Sequence, residues 1–227
     1  MKTYSQYRAE GLAALKGNWC NALVATILVA IILIVLYTPY MWFTLTVDET
    51  LLQTDPAVYL KAFAWTYLVL IFGTILIANP IYVGYYYSFK KLKAENDNQI
   101  AANTFKEAFG SWGRNVWGMF LMSMFIFFWS LLFIIPGWIK TFSYALTPYI
   151  LKDYPEMSAN QAINLSRKMM KGHKLDLFCL MLTFIGWGIL CLFTLGIGYL
   201  WMIPYATSTL AAFYIDVKTE YEAKQEI

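Results

Sequence analysis

Few residues in this sequence are of the kinds that do chemistry, and their spacing limits what they can do. The one histidine, His173, stands between Gly172 and Lys174 and reads as having no nearby acid or thiol partner. A lone imidazole makes neither a catalytic dyad nor a metal site, so its expected role is that of a polar residue at a membrane edge. Cys20, Cys179 and Cys191 lie in or beside apolar runs and form no CxxC or CxxxC pattern. That placement reads as packing rather than disulfide or metal chemistry. Ser123, Ser130 and Ser143 would need a buried base to become nucleophiles, and the apolar runs supply none. Aspartyl chemistry would need two acids inside those runs. Only Asp176 comes close, near the start of one, where it would reach the surface or pair with a lysine. Gly196-Ile197-Gly198 lacks a preceding strand, a third glycine and a lysine, so it is no phosphate loop. The expectation is a protein that is not an enzyme and takes no cofactor and no metal.

Polar irregularities inside apolar surroundings are the other candidates. Ala78-Asn79-Pro80 sits deep in a long run and is followed by Tyr82, Gly84, Tyr85, Tyr86 and Tyr87; Pro204-Tyr205 is its counterpart near the C-terminus. Proline frees a backbone carbonyl about a turn upstream, and Asn79 can bond across helices. Two broken helices could line a central site, with Asn79, Pro80, Pro204 and Tyr205 as the ligand-lining residues, whereas a kink that improves packing is the commoner outcome. Lys140 is expected to snorkel to the outer surface.

The elements that carry these residues follow from hydropathy. The 227 residues are 59% hydrophobic, 19% aromatic and 14% charged, with a mean hydropathy of +0.51. So much apolar surface needs lipid as its solvent. The runs predict an all-α polytopic bundle of six transmembrane helices: Trp19–Trp42, a helix within Tyr59–Phe89, Val116–Ile135, Gly137–Leu151, Leu175–Phe193 and Ile197–Val217. The fourth reaches only about 22 Å at 1.5 Å per residue, so a re-entrant hairpin stays open as its alternative. Pro136-Gly137 and Leu195-Gly196-Ile197-Gly198 mark tight reversals. Gly186 and Gly188, with Ala206, Thr207, Ser208, Ala211 and Ala212, are expected to let helix backbones approach closely, within the chain or between subunits.

Charge sets the orientation. With the N-terminus in the cytoplasm, only Lys61 and Lys140 of the 17 basic residues fall outside. The outer loop Phe43–Val58 carries Asp48, Glu49 and Asp55. Both termini should therefore be cytoplasmic. The chain also repeats itself as one membrane domain of three related hairpin units, about 1–98, 99–153 and 154–227. Each opens with a short amphipathic segment and a glycine junction, at Gly17-Asn18, Gly113-Arg114-Asn115 and Gly172-His173. Thr104 with Glu107 and Ser158 with Gln161 have capping-box spacing. Phe105, Ala108, Phe109 and Trp112 form one apolar stripe. Ala159, Ala162, Ile163 or Leu165, and Met169 form another, flanked by Arg167, Lys168 and Lys171. Basic amphipathic helices of this kind suit the headgroup layer, and those three cations are the candidate contacts for anionic lipid.

The most distinctive string runs Phe184-Ile185-Gly186-Trp187, then Thr194-Leu195-Gly196-Ile197-Gly198-Tyr199-Leu200-Trp201-Met202-Ile203-Pro204-Tyr205, preceded by Ala162, Ser166, Met169 and Gly172. It resembles the bacterial integral membrane family catalogued as domain of unknown function 975, over the C-terminal third and by layout elsewhere. The resemblance implies a multi-pass protein of the bacterial inner membrane and carries over no functional residues. The expected function is non-enzymatic, through lipid or protein contacts. A small permease for an apolar or zwitterionic solute, built on the Pro-broken helices, is the alternative. The partners implied are membrane lipids, with a membrane protein or a second copy of the chain as further candidates, and no nucleic acid.

Overall fold

The computed structural model describes residues 2–46 and 50–225, and among these every regular element is helical. Asp48 and Glu49 of the expected outer loop, and the last two residues of the tail, lie outside the described residues. The helices are α1 (Tyr4–Leu15), α2 (Trp19–Thr46), α3 (Thr50–Thr54) and α4 (Pro56–Gly73). A π-helical segment, Thr74–Ala78, joins α4 to α5 (Asn79–Glu95). Then come α6 (Ile100–Gly110), α7 (Trp112–Leu132), α8 (Ile134–Tyr144) and α9 (Thr147–Asp153). The chain closes with α10 (Ala159–Met169), α11 (Lys174–Leu182), α12 (Ile185–Phe193) and α13 (Tyr199–Ala223).

Among the described residues four helical stretches are long and apolar enough to cross a membrane: Trp19–Thr46, Pro56–Glu95, Trp112–Leu132 and Lys174–Phe193. Their outer faces leave large apolar side chains uncovered, among them Trp65 at 70% and Phe193 at 82% exposure. A surface of that kind is stable against lipid rather than water, which makes the chain a membrane protein. The other two expected spans differ from expectation. The fourth is divided at Ala145-Leu146 into α8 and α9. The sixth, α13, is long but diluted by Thr207, Ser208 and Thr209 in its middle, all buried against the protein.

The long helices lie side by side in opposite directions. Along α2 and α4–α5, Tyr40 meets Tyr67 (5.6 Å between ring centroids), and Thr26 Oγ1 meets Tyr85 Oη (2.7 Å). Along α7 and α8–α9, Phe125 meets Tyr144 at 6.5 Å, Gly118 packs on Leu151, and Arg114 donates to the Tyr154 carbonyl. Along α11–α12 and α13, Phe184 meets Tyr205 at 5.1 Å, and His173 meets Glu220 at 3.5 Å.

The short helices pack onto this framework. α1 begins in a capping box of Thr3 and Gln6 and lies on α13. There Tyr7 meets Phe213 at 5.5 Å and Ser208 donates to the Gly11 carbonyl at 2.9 Å. α6 lies on α5, where a Cβ at Gly84 would overlap the Thr104 carbonyl. α10 begins in the expected Ser158–Gln161 capping box. It buries Ala159, Ala162, Ile163, Ser166 and Met169, so Ile163 rather than Leu165 completes its stripe.

Several local expectations give way. Thr104 and Glu107 do not cap: α6 starts at Ile100, five residues before the start their spacing predicts, with Gln99 at the N-cap position and Asp97 just outside accepting from the Gln99 N–H (3.0 Å) and from Asn103 (2.8 Å). Thr104 sits mid-helix and returns its hydroxyl to the Ile100 carbonyl. The buried face of α6 is Ile100, Asn103, Thr104 and Ala108, leaving Phe109 and Trp112 exposed. Pro136-Gly137 lies inside α8, and the reversal is made at Phe133 in extended conformation. Gly113 is within α7, whereas Gly17 (φ 82°) and Gly172 (φ 97°) are left-handed junctions. A Cβ on Gly186 would meet nothing within 4 Å, and one on Gly188 only the Met202 sulfur at 4.0 Å, so neither makes a close helix contact within the chain.

Candidate functional site: a buried ion-pair hub and a basic helix face

The centre of the molecule is where the returning helices α5, α9 and α13 meet. Tyr149 of α9 stacks on Tyr214 of α13 (4.6 Å, 12°), and Tyr86 of α5 closes on Tyr149 edge-on at 6.0 Å. Directly after this tyrosine layer comes Asp153, its side chain only 3% exposed. It accepts from Lys218 (2.7 Å) and Tyr214 (2.7 Å) and pairs with Lys90 at 3.1 Å. Burial pushes the carboxyl pKa up. The hydrogen bonds from Lys218 and Tyr214 and the charges of Lys90 and Lys218 outweigh that, and hold it below its ordinary value.

Two further clusters flank the hub. Glu107 of α6 binds Lys91 (2.7 Å) and Lys152 (2.9 Å). Burial raises its pKa and the two lysines lower it further, with a net depression. Lys152 also donates to the Ser111 hydroxyl at 2.9 Å. Glu10 of α1 pairs with Lys2 (2.8 Å) and Lys93 (3.2 Å), and Tyr7 donates to Asp216. The same pattern holds here, desolvation raising the Glu10 pKa and both lysines lowering it by more. These carboxylates tie α1, α5, α6, α9 and α13 into one charged layer. Asn18 and Asn115 close the ends of the short helices below it: Asn18 donates to the Ala14 carbonyl (3.1 Å), Asn115 to those of Glu107 (2.9 Å) and Ala108 (2.8 Å).

Against this layer of paired lysines, the end of α10 and the turn after it are different. Arg167, Lys168 and Lys171 are exposed and make no ion pair among the described residues. Lys168 lines a groove of about 630 Å³ between α10 and the end of α13, together with Arg167, Gln161, Asn164, Tyr221 and Glu222.

Asn79 and Tyr205 line two different cavities. Asn79 lines a cavity of about 240 Å³ with Ser123 and Phe127 of α7, and makes no side-chain hydrogen bond among the described residues. Pro80 frees the Leu76 carbonyl as expected, and Trp112 Nε1 donates to that oxygen at 2.8 Å. Tyr205 lines a separate groove of about 420 Å³ with Trp19, Trp187 and Trp201, and Pro204 is buried. His173 does have acid partners, contrary to expectation: Asp176 at 3.6 Å and Glu220 at 3.5 Å. Lys140 rests over the Trp129 ring, 4.2 Å from its centroid. No group of three or more His, Cys, Asp or Glu among the described residues could hold a metal ion. The sequence reading missed the Asp153 hub, whose only local trace is the Lys152-Asp153 pair ending an apolar run.

A family model described as protein of unknown function DUF975 matches residues 99–221, extending the likeness well upstream of the C-terminal third. No curated protein and no solved structure matches the chain.

Proposed function

The chain belongs to the family of proteins of unknown function DUF975, and from that premise we propose a multi-pass protein of the bacterial inner membrane that acts without catalysis, through contacts with anionic lipid at its cytoplasmic face. The observation that carries this is the basic face of α10. Most lysines around the charged layer are spent on carboxylates, while Arg167, Lys168 and Lys171 stay exposed and make no ion pair among the described residues. A cytoplasmic leaflet rich in anionic headgroups attracts such a face.

The proposal includes six crossings in three related units with both termini inside. Three facts support it. Each short helix lies on the returning helix of the unit before it: α6 on α5, α10 on α9, and, closing the ring, α1 on α13. The returning helices α5, α9 and α13 meet at the tyrosine layer. The basic residues are distributed as the positive-inside rule requires.

Co-flotation of the purified protein with vesicles containing phosphatidylglycerol tests the reading. Each basic residue near an anionic surface contributes about 1 kcal/mol, so Arg167→Gln/Lys168→Gln/Lys171→Gln lowers vesicle capture by up to about two orders of magnitude at low salt. Added salt should erode wild-type capture. Equal capture by both proteins would sink the proposal.

A further inference from the structure

The notch that holds Asn79 lies between the π-helical segment and the middle of α7, and has a volume of about 240 Å³. Phe120, Met124 and Phe127 of α7 form its apolar wall, and Thr74, Asn79 and Ser123 supply its polar atoms. The Asn79 N–H closes on the Thr74 carbonyl. That wide turn places two residues five apart on one side of the helix, where 3.6 residues per turn would set them about 140° apart. Ser123 is exposed and so is Phe127 (56%), so the notch opens outward.

Depth makes these polar atoms costly. Both sides of the notch belong to stretches long and apolar enough to cross a membrane. Phe120 and Ser123 follow the start of α7 at Trp112 by about 12 and 17 Å at 1.5 Å per residue, near the middle of a hydrocarbon core about 30 Å thick. Thr74, Asn79 and Ser123 make no side-chain hydrogen bond among the described residues. Acyl chains offer them none, and headgroups stay about 15 Å away. What fits is an uncharged side chain that both donates and accepts, carried at the same depth by another membrane helix. A second copy of this chain meets that need. Copies inserted the same way hold their notches at one depth, and a two-fold axis along the membrane normal turns them face to face. Two asparagine amides then pair reciprocally, each donating to the other's oxygen.

We propose that this notch is the contact between two copies of the chain, in which Asn79 bonds Asn79 of the partner subunit across a two-fold axis and Ser123 lies beside the pair. The contact goes beyond the lipid reading above and does not use the basic face of α10. Vesicle capture should therefore be the same whether or not the contact forms, and either idea can fail alone.

Counting photobleaching steps in liposomes of phosphatidylethanolamine and phosphatidylglycerol, at falling protein-to-lipid ratio, tests it. The whole chain carries one dye on Lys224→Cys, with Cys20, Cys179 and Cys191 changed to serine. The expected result is a dimer that dissociates on dilution. Asn79→Leu removes donor and acceptor at similar size and should weaken the dimer about 3- to 30-fold. Asn79→Gln keeps an amide and should retain more of it. Asn79→Leu should leave thermal stability of the monomer in detergent undiminished, whereas an amide that served its own chain would lower it when lost. A second measurement locates the contact. Ser123→Cys in the same serine background should give a disulfide-linked dimer on mild oxidation of membranes, and Leu190→Cys, exposed on α12, should not. Equal dissociation of wild type and Asn79→Leu, or linkage through Leu190→Cys and not through Ser123→Cys, would overturn the contact. Monomers at every dilution would overturn it too, and would point the notch at a helix of a different protein.

Discussion

Trp112 Nε1 donates to the carbonyl oxygen of Leu76 at 2.8 Å. Leu76 lies four residues before Pro80, so its carbonyl is the one a proline leaves without an N–H partner. The π-helical turn Thr74–Ala78 surrounds it. The polar break in this helix is therefore answered by a side chain from α7, and it fastens the start of α7 to the long helix. Trp112→Phe keeps the ring and removes the donor. Leaving the carbonyl unpaired should cost about 1–3 kcal/mol. In a Pro80→Ala background the helix supplies its own N–H, and the same substitution should cost much less. Denaturation of the four proteins in mild detergent measures the coupling; equal losses in both backgrounds would refute the account.

Among the described residues Asp153 is the most connected carboxylate, joining α9 to Lys90 of α5 and Lys218 of α13. Asp153→Asn leaves two lysines facing each other, and breaking a buried pair in this way costs about 3–5 kcal/mol. The pH dependence follows from the sign of the shift. The folded carboxyl titrates below its ordinary value of 3.8. Its stabilisation is complete above that value and is lost as pH falls through the folded pKa. Glu107 and Glu10, both depressed from 4.5, behave alike. Wild-type stability should therefore drop on acidification below about pH 4, with part of that drop missing in Asp153→Asn. An acid limb of the same depth in both proteins would remove Asp153 from this role.

Two glycines that look alike in sequence should respond in opposite ways. A Cβ at Gly84 would overlap the Thr104 carbonyl and lie 2.8 Å from the Ala108 nitrogen, both backbone atoms of α6. Gly84→Ala should separate α5 from α6 and cost about 1–3 kcal/mol or more. Gly186 sits in α12 with nothing within 4 Å of the added carbon. Gly186→Ala should be neutral or stabilise by about 0.5–1 kcal/mol, through a less flexible unfolded chain. Thermal shift in detergent reads both, and a larger loss at Gly186 than at Gly84 would contradict the packing described.

This contrast marks what a single sequence can reveal here. The uncharged run from Trp19 was legible as a helix because lipid demands a long apolar stretch, and length and composition are local properties. The Ser158–Gln161 box was legible for the same reason. Thr104 and Glu107 have identical spacing, yet the helix starts earlier, just beyond Asp97, and spends Thr104 on α5 contacts. Asp153 was not legible, because Lys90 lies far upstream and Lys218 is 65 residues downstream. The glycine roles were invisible too, since they depend on which helix arrives opposite. Patterns confined to one turn or one face could be read; those made by the meeting of distant helices could not.

The broken fourth helix gives the last test. A re-entrant hairpin would return residue 153 to the side from which residue 134 started. Contacts along α7 instead run the length of α8 and α9 in one direction. Gly137 packs on Ser130 near one end, Gly118 on Leu151 near the other, and Arg114 reaches the Tyr154 carbonyl. These contacts run along α7 from Arg114 to Ser130, about 24 Å at 1.5 Å per residue, most of the thickness of the hydrocarbon core. If α7 crosses, α8–α9 crosses with it despite the break at Ala145-Leu146. Single cysteines at Asp97, Glu156 and Lys224, in a chain whose Cys20, Cys179 and Cys191 are serine, should then resist an impermeant maleimide added to intact cells. A cysteine at Gly196 should react. Labelling of Glu156→Cys from outside, with Asp97→Cys protected, would show that α8–α9 does not cross and would reverse the sidedness of α10 and its basic face.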